Sequence, residues 1–183
     1  MSQQQPIIRL VPFKEEDIPR LINWLPTEDA LMVWGGLSFR FPLTQKQYQK
    51  HLKEHQANPP NQYIYKAVHV ESERVVGHCE LTSVNRGQGL GRISRVLIGS
   101  PEDRGKGWGQ AMLAELLDFA FSKLHLHRID LGVFDFNDSA IACYEQLGFR
   151  NEGTMREARY YHGQYWNLCV MSLLSHEWRG KQS

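Results

Sequence analysis

The chain has 183 residues, 42% of them hydrophobic, and a formal net charge of +1. This length suffices for a domain with a buried core, and the balanced charge gives no general argument for a nucleic acid or a membrane as partner. No apolar run has the length of a membrane-spanning helix, and the start of the chain, MSQQQPIIRL, lacks a signal-peptide pattern. Cys79, Cys143 and Cys169 are isolated among apolar neighbours, which predicts reduced core residues in a cytoplasmic protein rather than disulfides or a metal site. We expect a single domain over 1–183, ordered from about 7 to 175.

The first third of the chain predicts one short strand followed by helices. IIRLV, residues 7–11, has the composition of a strand, and residues 14–25 carry apolar side chains at helical spacing. The segment WGGLSFRFPLT is aromatic and irregular. Thr44 and Gln47 then have the spacing of a capping box for a helix that runs to about residue 56.

The remainder predicts a sheet that is interrupted by two helices. In chain order the elements are three strands (62–70, 74–85 and 92–99), a helix (about 106–124), a strand (128–136), a helix capped by Asn137 and stopped by Gly148, and two strands (149–160 and 165–174). The turn residues between the first three strands indicate an antiparallel meander. The order predicts a mixed α/β (α+β) domain in which helices flank a mostly antiparallel central sheet.

The loop before the first of these two helices contains three glycines and two cations, in the run Arg104, Gly105, Lys106, Gly107, Trp108, Gly109. A helix N-terminus offers unpaired N–H groups and a partial positive charge. Glycine lets the backbone approach a ligand closely, and arginine can hold a phosphate with two parallel hydrogen bonds. The pattern favours a phosphate or pyrophosphate site, and a loop that merely turns the chain is the alternative.

Two motifs and a C-terminal segment resemble one family. RGKGWG at 104–109 fits the R/Q-x-x-G-x-G/A pyrophosphate loop of the GNAT N-acetyltransferases, and NDSAIACYEQLGF at 137–149 looks like their N-x-x-A-x-x-x-Y-E-x-x-G-F segment. Residues 153–174 resemble the closing strands of the branch with ribosomal-protein alanine and diamine acetyltransferases. The resemblance covers about 74–174. It implies the GNAT fold with splayed strands, acetyl-CoA as co-substrate, and direct acetyl transfer to a primary amine, which is either a protein N-terminus or a small amine. A homodimer stays open.

The resemblance also assigns cofactor-binding residues. Backbone groups of Val96, Leu97 and Ile98 would hold the pantetheine arm and polarise the thioester carbonyl, as oxyanion donors do. The pyrophosphate would bind at Arg104, Gly105, Lys106, Gly107, Trp108, Gly109 and Gln110. The Trp108 ring has an alternative, which its large apolar area favours, in packing on the sheet.

The later helix carries three further candidates. Asn137 and Tyr144 are seven residues apart, about two helical turns, and share a face with Ala140, which would leave room for the cofactor arm. Asn137 also suits a simple N-cap. Periodicity alone favours a core position for Tyr144, whereas the resemblance makes its hydroxyl the general acid that protonates the departing CoA thiolate.

The acceptor amine must lose a proton before it attacks, which calls for a base or a water chain. Glu80, on a predicted central strand, is the candidate base, and a solvated or salt-bridged strand residue is the equal alternative. His78, on the same strand face, is the second candidate. Where the branch often has Asp, four residues after the turn glycine Gly163, this chain has Asn167, whose neutral amide cannot attract a cationic amine.

The acceptor wall would come from the aromatic segment through Trp34, Phe39 and Phe41, unless these residues only cover the core. His51 and His55 lie one helical turn apart, and with no third ligand they predict a solvated helix face rather than a metal site. Two other functions stay open at this point: a non-catalytic acyl-CoA sensor, and an interaction module without a cofactor.

Overall fold

The computed structural model describes residues 7–54 and 58–179. Its strands are β1 Ile8–Pro12, β2 Tyr63–His69, β3 Val75–Asn85, β4 Leu90–Ile98, β5 Arg128–Phe134, β6 Arg150–Tyr161 and β7 Gln164–Leu174. Its α-helices are α1 Ile18–Asn23, α2 Glu28–Gly35, α3 Gln45–Glu54, α4 Trp108–Asp118, α5 Asp138–Leu147 and α6 Ser175–Arg179. Short 3₁₀ turns cover Glu15–Asp17, Gly36–Ser38 and Pro101–Asp103, and α4 continues into a π turn, Phe119–Lys123.

The strands form one sheet in the order β1-β2-β3-β4-β5-β7-β6. Every neighbouring pair is antiparallel except β4 and β5, which run parallel because α4 connects them. The predicted fold class, a mixed sheet that is mostly antiparallel and flanked by helices, is confirmed.

The parallel pair is splayed. β4 and β5 are in register only from Leu90 opposite Arg128 to Arg92 opposite Asp130. Beyond Arg92, β4 keeps its pairing with β3 on one side, and β5 keeps its pairing with β7 on the other. The sheet therefore opens between Ile93–Ile98 and the end of β5.

Two apolar clusters hold the helices to the sheet. The α4 side chains that recur at helical spacing are at most 1% exposed (Met112, Leu113, Leu116 and Leu117), and they join the main core with residues of β3, β5 and α5. Each such side chain contributes about 1.5–3 kcal/mol by leaving water. The second cluster joins α1, α2 and α3 through Leu21, Leu31, Trp34 and Tyr48. The helices of this second cluster cover β4 near the opening.

The structure corrects several element boundaries. Helix α2 was not predicted, although Thr27 is its N-cap and accepts a hydrogen bond from the Ala30 N–H at 3.2 Å. Helix α6 was not predicted either. The helix predicted from 106 begins at Trp108, because Gly107 has a left-handed backbone that ends the loop. The predicted end of α3 near residue 56 lies outside the described residues. The caps of α5, Asn137 and Gly148, are confirmed.

Among the described residues, no helix combines the length and apolar character needed to cross a bilayer.

Candidate active site

A cleft of about 750 Å³ opens where β4 and β5 diverge. The predicted cofactor residues that line it are Val96, Leu97, Ile98, Arg104, Gly105, Gly107, Gly109, Gln110, Asn137, Ala140 and Tyr144. The fold thus brings the strand, the glycine-rich loop and one face of α5 to a single cavity, although α5 begins 40 residues after the end of β4.

The edge of β4 presents backbone groups to this cleft. The Gly99 N–H donates to the Val76 carbonyl on β3 at 3.0 Å, and Leu97 is in register with His78 on that same side. Because strand backbone groups alternate in direction, the N–H groups of Val96 and Ile98 point the other way, into the opening. Of the three strand residues predicted to offer backbone groups to the cofactor, Val96 and Ile98 therefore point their N–H groups into the cleft, while the N–H of Leu97 faces β3.

The loop at the start of α4 is open toward the cleft. Gly105 has a φ of +74° and Gly107 a φ of +78°, and a Cβ atom added to either would meet no atom within 4 Å. The helix begins with the Ala111 N–H donating to the Gly107 carbonyl, so the N–H groups just before Ala111 have no partner within the helix. Open space against a ring of N–H groups fits the diphosphate of coenzyme A.

Asp103 holds this loop in shape. Its side chain is 1% exposed and pairs with Arg74 at 2.7 Å and with Lys106 at 3.2 Å. The Lys106 Nζ also lies 4.8 Å from the centre of the Trp108 ring. Arg104, in contrast, lines the cleft while its guanidinium donates to the carbonyls of Ile98 and Gly99 at 3.3 Å.

The side chains of two predicted cofactor-binding residues, Lys106 and Trp108, lie elsewhere than expected. Neither Lys106 nor Trp108 lines the cleft. Lys106 is held by Asp103, and the Trp108 ring stacks on His69 with centroids 4.5 Å apart and packs against the main core. The packing alternative for Trp108 is confirmed.

The loop conformation leads to a prediction on ligand affinity. Gly107→Ala should raise the Kd for CoA about tenfold, because alanine resists this left-handed backbone by about 1–2 kcal/mol and its methyl group would enter the open space. Titration calorimetry with CoA measures this. Gly163→Ala is the matched control, since Gly163 has a similar φ of +81° in the β6–β7 turn. It should lose stability and keep its CoA affinity, and an equal loss of affinity in both variants would refute the assignment.

Tyr144 lies on the α5 wall of the cleft with 7% of its surface exposed. Burial, with smaller contributions from Cys143 and Cys79, raises the pKa of its hydroxyl well above the usual 10. The ring packs edge-on against Phe149 at 5.8 Å, and within the described part of the chain no group forms a hydrogen bond with the hydroxyl. The cleft therefore holds a phenol that keeps its proton at neutral pH and has it available for a ligand.

Glu80, predicted as the base, does not line the cleft. It is fully buried and accepts hydrogen bonds from Tyr48 at 2.9 Å, His51 at 3.1 Å, Gln62 at 2.7 Å and Arg95 at 2.8 Å. Burial acts to raise its pKa, but the hydrogen bond from His51 and the charge of Arg95 outweigh burial and hold the pKa at about 2. A carboxylate this well satisfied is a poor proton acceptor. Of the alternative given for Glu80, the salt bridge is present and the solvated position is wrong.

The two histidines near Glu80 are also placed differently from expectation. His51 is 8% exposed and pairs with Glu80, so the solvated helix face predicted for it is wrong. His55 lies outside the described residues. His78 is fully buried and does not line the cleft, and burial lowers its pKa. Neither Glu80 nor His78 lines the cleft, so neither side chain would contact an acceptor there directly.

Residues at the end of α1 and on α2 build another part of the cleft wall. Trp24, Asp29, Val33 and Trp34 line it. Trp24 comes so close to the chain that a Cβ atom on Gly99 would lie 2.0 Å from its ring. Asp29 and Val33 were missed because α2 was missed, whereas Trp24 lies in the predicted first helix and was not assigned to the site. The signal was present, since Thr27 is followed by two acidic residues and an apolar run.

The other predicted wall residues stand outside this surface. Phe39 stacks on Trp34 at 5.7 Å but does not line the cleft, and Phe41 is 44% exposed. Asn167 is occupied elsewhere: its amide donates to Asp135 at 2.8 Å and accepts from the Glu157 N–H at 2.9 Å. It joins the ends of β5, β6 and β7 and offers no acceptor site.

A helix start that suits a diphosphate, beside a strand with a free edge, is the arrangement of a transferase that uses an acyl-CoA thioester. A family model described as an acetyltransferase (GNAT) domain matches residues 10–170. The chain belongs to this GNAT family.

Named relatives of the chain are acetyltransferases as well. The chain is 27% identical over 173 residues to spermidine N(1)-acetyltransferase of Escherichia coli K12, an alignment that covers 93% of this chain and 88% of the relative. It is 35% identical over 81 residues to the putative ribosomal N-acetyltransferase YdaF of Bacillus subtilis, which covers 44% of each. The fold superposes on a crystal structure of spermidine N-acetyltransferase from Vibrio cholerae with CoA and spermine, with a TM-score of 0.80, 24% identity, and coverage of 94% and 98%.

The protein is therefore an N-acetyltransferase that uses acetyl-CoA to acetylate an amine, and the family resemblance found in the sequence is confirmed. The alternative of a non-catalytic sensor is not supported. In the stretches that the structure describes, no cluster of three or more His, Cys, Asp or Glu side chains is arranged to hold a metal ion.

Proposed function

We propose that this enzyme acetylates a small primary amine by direct attack within a ternary complex. The observation that carries the proposal is that a single cleft is lined by Gly105 and Gly107, by Tyr144, and by Trp24 and Asp29. Both substrates can thus be held at once, and no covalent acyl-enzyme is needed.

Each part of the cleft has a distinct task. Acetyl-CoA, when bound, supplies an activated acetyl group as a thioester. The N–H groups at the start of α4 and Arg104 would hold the diphosphate. The Val96 N–H would donate to the carbonyl oxygen as negative charge develops there. Asn137 caps α5 through the Ala140 N–H at 3.3 Å, and Ala140 leaves space for the pantetheine arm.

Tyr144 would act as the general acid. Burial keeps its hydroxyl protonated, so that it can donate to the sulfur as the thiolate departs. Proton removal from the amine would go through water in the cleft, because Glu80 and His78 are both buried away from it.

The part of the cleft wall at α1 and α2 supports a small amine as acceptor. Asp29 is exposed, lines the cleft and is held by a hydrogen bond of 2.7 Å from the Tyr161 hydroxyl. A fixed carboxylate attracts an ammonium group, and the Trp24 and Trp34 rings that line the same cleft suit a cationic or apolar body. Relatives named for spermidine align over most of the chain, whereas the ribosomal relative aligns over 44%. A peptide N-terminus is the competing acceptor.

We also propose a homodimer or larger assembly in the cytoplasm. The β6–β7 hairpin exposes Tyr160 and Tyr165 at 62% and 60%, and a related Vibrio cholerae enzyme is described as dodecameric. The three unpaired cysteines fit a reducing compartment.

The test is an initial-rate study that follows the release of free CoA thiol. Acceptors would be spermidine, a monoamine, and a peptide with a free N-terminus, each varied against acetyl-CoA. A ternary complex predicts double-reciprocal lines that intersect, whereas parallel lines would indicate an acyl-enzyme. Higher kcat/KM for a small amine than for the peptide supports the proposed acceptor. Preference for the peptide, or no turnover of any amine, would overturn it.

A further inference from the structure

β4 contains a bulge at the point where it meets the cleft. Its register with β3 pairs His78 with Leu97 but Glu80 with Ser94. One residue on β3 therefore stands opposite two on β4, Arg95 and Val96. Arg95 has a φ of +51°, which few residues other than glycine adopt. Such a conformation persists only where the surroundings hold it.

Two buried side chains hold the carbonyl group of Arg95. His78 donates from Nδ1 at 2.9 Å and Trp34 donates from Nε1 at 3.0 Å. A carbonyl oxygen can only accept, so the proton of His78 on this side lies on Nδ1. The donors come from β3 and α2, and they are 0% and 8% exposed. Both lone pairs of this oxygen are thus used, in a region that excludes water.

The carbonyl of Arg95 and the N–H of Val96 belong to the same peptide unit. Because a trans peptide is planar, its C=O and N–H point in opposite directions. Fixing the carbonyl toward His78 and Trp34 therefore fixes the N–H of Val96 away from them, and Val96 lines the opening between β4 and β5.

We propose that Trp34 and His78 are positioning residues, which orient the Val96 N–H for the acetyl carbonyl through their shared hydrogen bonds to Arg95. This inference rests on the proposed role of the Val96 N–H. It gives Trp34 a second function, since the same ring also lines the cleft.

The side chain of Arg95 supports the same arrangement. Its guanidinium donates to Glu80 at 2.8 Å and to Ser38 at 3.0 Å and lies 5.5 Å from the Phe39 ring centre. The bulge is therefore held through its side chain as well as its carbonyl, while Trp34 and His78 are the groups that set the direction of the peptide.

Three variants test the proposal. His78→Asn keeps a donor close to the position of Nδ1, whereas His78→Gln keeps a polar group near Nε2, which lies 2.8 Å from the Tyr48 hydroxyl, and loses the donor to Arg95. Trp34→Phe keeps an aromatic ring and loses the other donor. We expect kcat to fall about tenfold in His78→Gln and in Trp34→Phe, because one misdirected oxyanion donor costs less than the roughly 10²–10³-fold effect of its complete loss. In His78→Asn, kcat should stay within threefold of the parent value.

Two further readouts separate positioning from general damage. The Kd for CoA, which has no acetyl carbonyl, should change less than twofold in all three variants. Hydrogen–deuterium exchange of the free protein over Ser94–Ile98 should be faster in His78→Gln and Trp34→Phe than in His78→Asn. Phe13→Leu is the matched control, because Phe13 packs edge-on against His78 at 5.2 Å and donates no hydrogen bond from its side chain. It should lower Tm without the loss in kcat.

The positioning role and the proposed function would be refuted by different results. If the unmodified enzyme turns over no amine, the proposed function fails, and the exchange experiment still tests the orientation. If the enzyme is active but His78→Gln and His78→Asn lose kcat equally, or Trp34→Phe keeps full kcat and exchange protection, the positioning role is refuted. Should His78→Gln fail to fold, the exchange rates over Ser94–Ile98 in Trp34→Phe and Phe13→Leu decide, because kcat of Trp34→Phe also reports on its place in the cleft wall.

Discussion

Replacing Tyr144 by Phe is expected to lower kcat by about 10²-fold or more while the Kd for CoA changes less than twofold. General acids contribute roughly 10²–10⁴ to a rate, and Tyr144 lines the cleft from α5 with a hydroxyl that can donate a proton. The substitution removes one oxygen atom and keeps the ring that packs on Phe149, so the shape of the cleft should survive. Thiol release measures kcat, and calorimetry with CoA measures Kd.

Tyr65→Phe is the matched control for this variant. Burial raises the pKa of Tyr65 to about 12, as it raises that of Tyr144, but Tyr65 lies on β2 and does not line the cleft. Its loss should leave kcat within twofold. An unchanged kcat in Tyr144→Phe would remove the hydroxyl from the chemistry, and a large rise in Kd would show that the residue serves binding instead.

Glu80→Gln is expected to lower the free energy of unfolding by about 3–5 kcal/mol. Glu80 is the fully buried acceptor for Arg95 and three neutral or histidine donors, and removing one partner of a buried pair leaves the other charge uncompensated. Urea denaturation gives the value. The shape of the pH dependence of kcat/KM should not change, because a group with a pKa of about 2 does not titrate in the working range.

The pH dependence of stability follows from the same pKa. The folded-state pKa of Glu80 lies below the ordinary 4.5, so the unfolded chain binds the proton more readily. The stabilisation is complete above about pH 4.5 and is lost as pH falls toward 2, and by linkage it amounts to about 3 kcal/mol. Glu80→Gln should lose this part of the acid dependence.

Glu152 provides the control for burial. Hydrogen bonds from Arg128 and Ser172 hold its pKa at about 2 as well, yet its side chain is 43% exposed. Glu152→Gln should therefore cost about 1 kcal/mol or less. If both variants lost the same stability, the buried position of Glu80 would not be the cause.

The parts of the site that depend on neighbours in sequence could be predicted. The glycines at 105 and 107 indicate a backbone that turns beside a ligand, and both have positive φ. Asn137 and Gly148 mark the ends of α5 by their capping chemistry. Helical spacing alone puts Asn137 and Tyr144 on one face, and both line the cleft.

The parts that depend on distant contacts could not be predicted. Alternation along β3 shows that Glu80 faces one side of the sheet, but not that Tyr48 and His51 cover it from 32 and 29 residues away. The bulge in β4 leaves no local signal, since Arg95 is an ordinary residue in an unusual conformation. Helix α2 was missed for a different reason. Its capping residues were present, but the aromatic segment next to it was interpreted as an irregular stretch.

The short pairing of β4 with β5 affects how firmly the two halves of the sheet are joined. Only three residue pairs connect the two strands directly, so past them the β1–β4 half and the β5–β7 half are bridged by helices instead of a ladder. A substrate bound in the gap would contact both halves and connect them where β4 and β5 are not paired. Substrate binding would then also stabilise the fold, so that the enzyme would be most resistant to unfolding when it is ready to react.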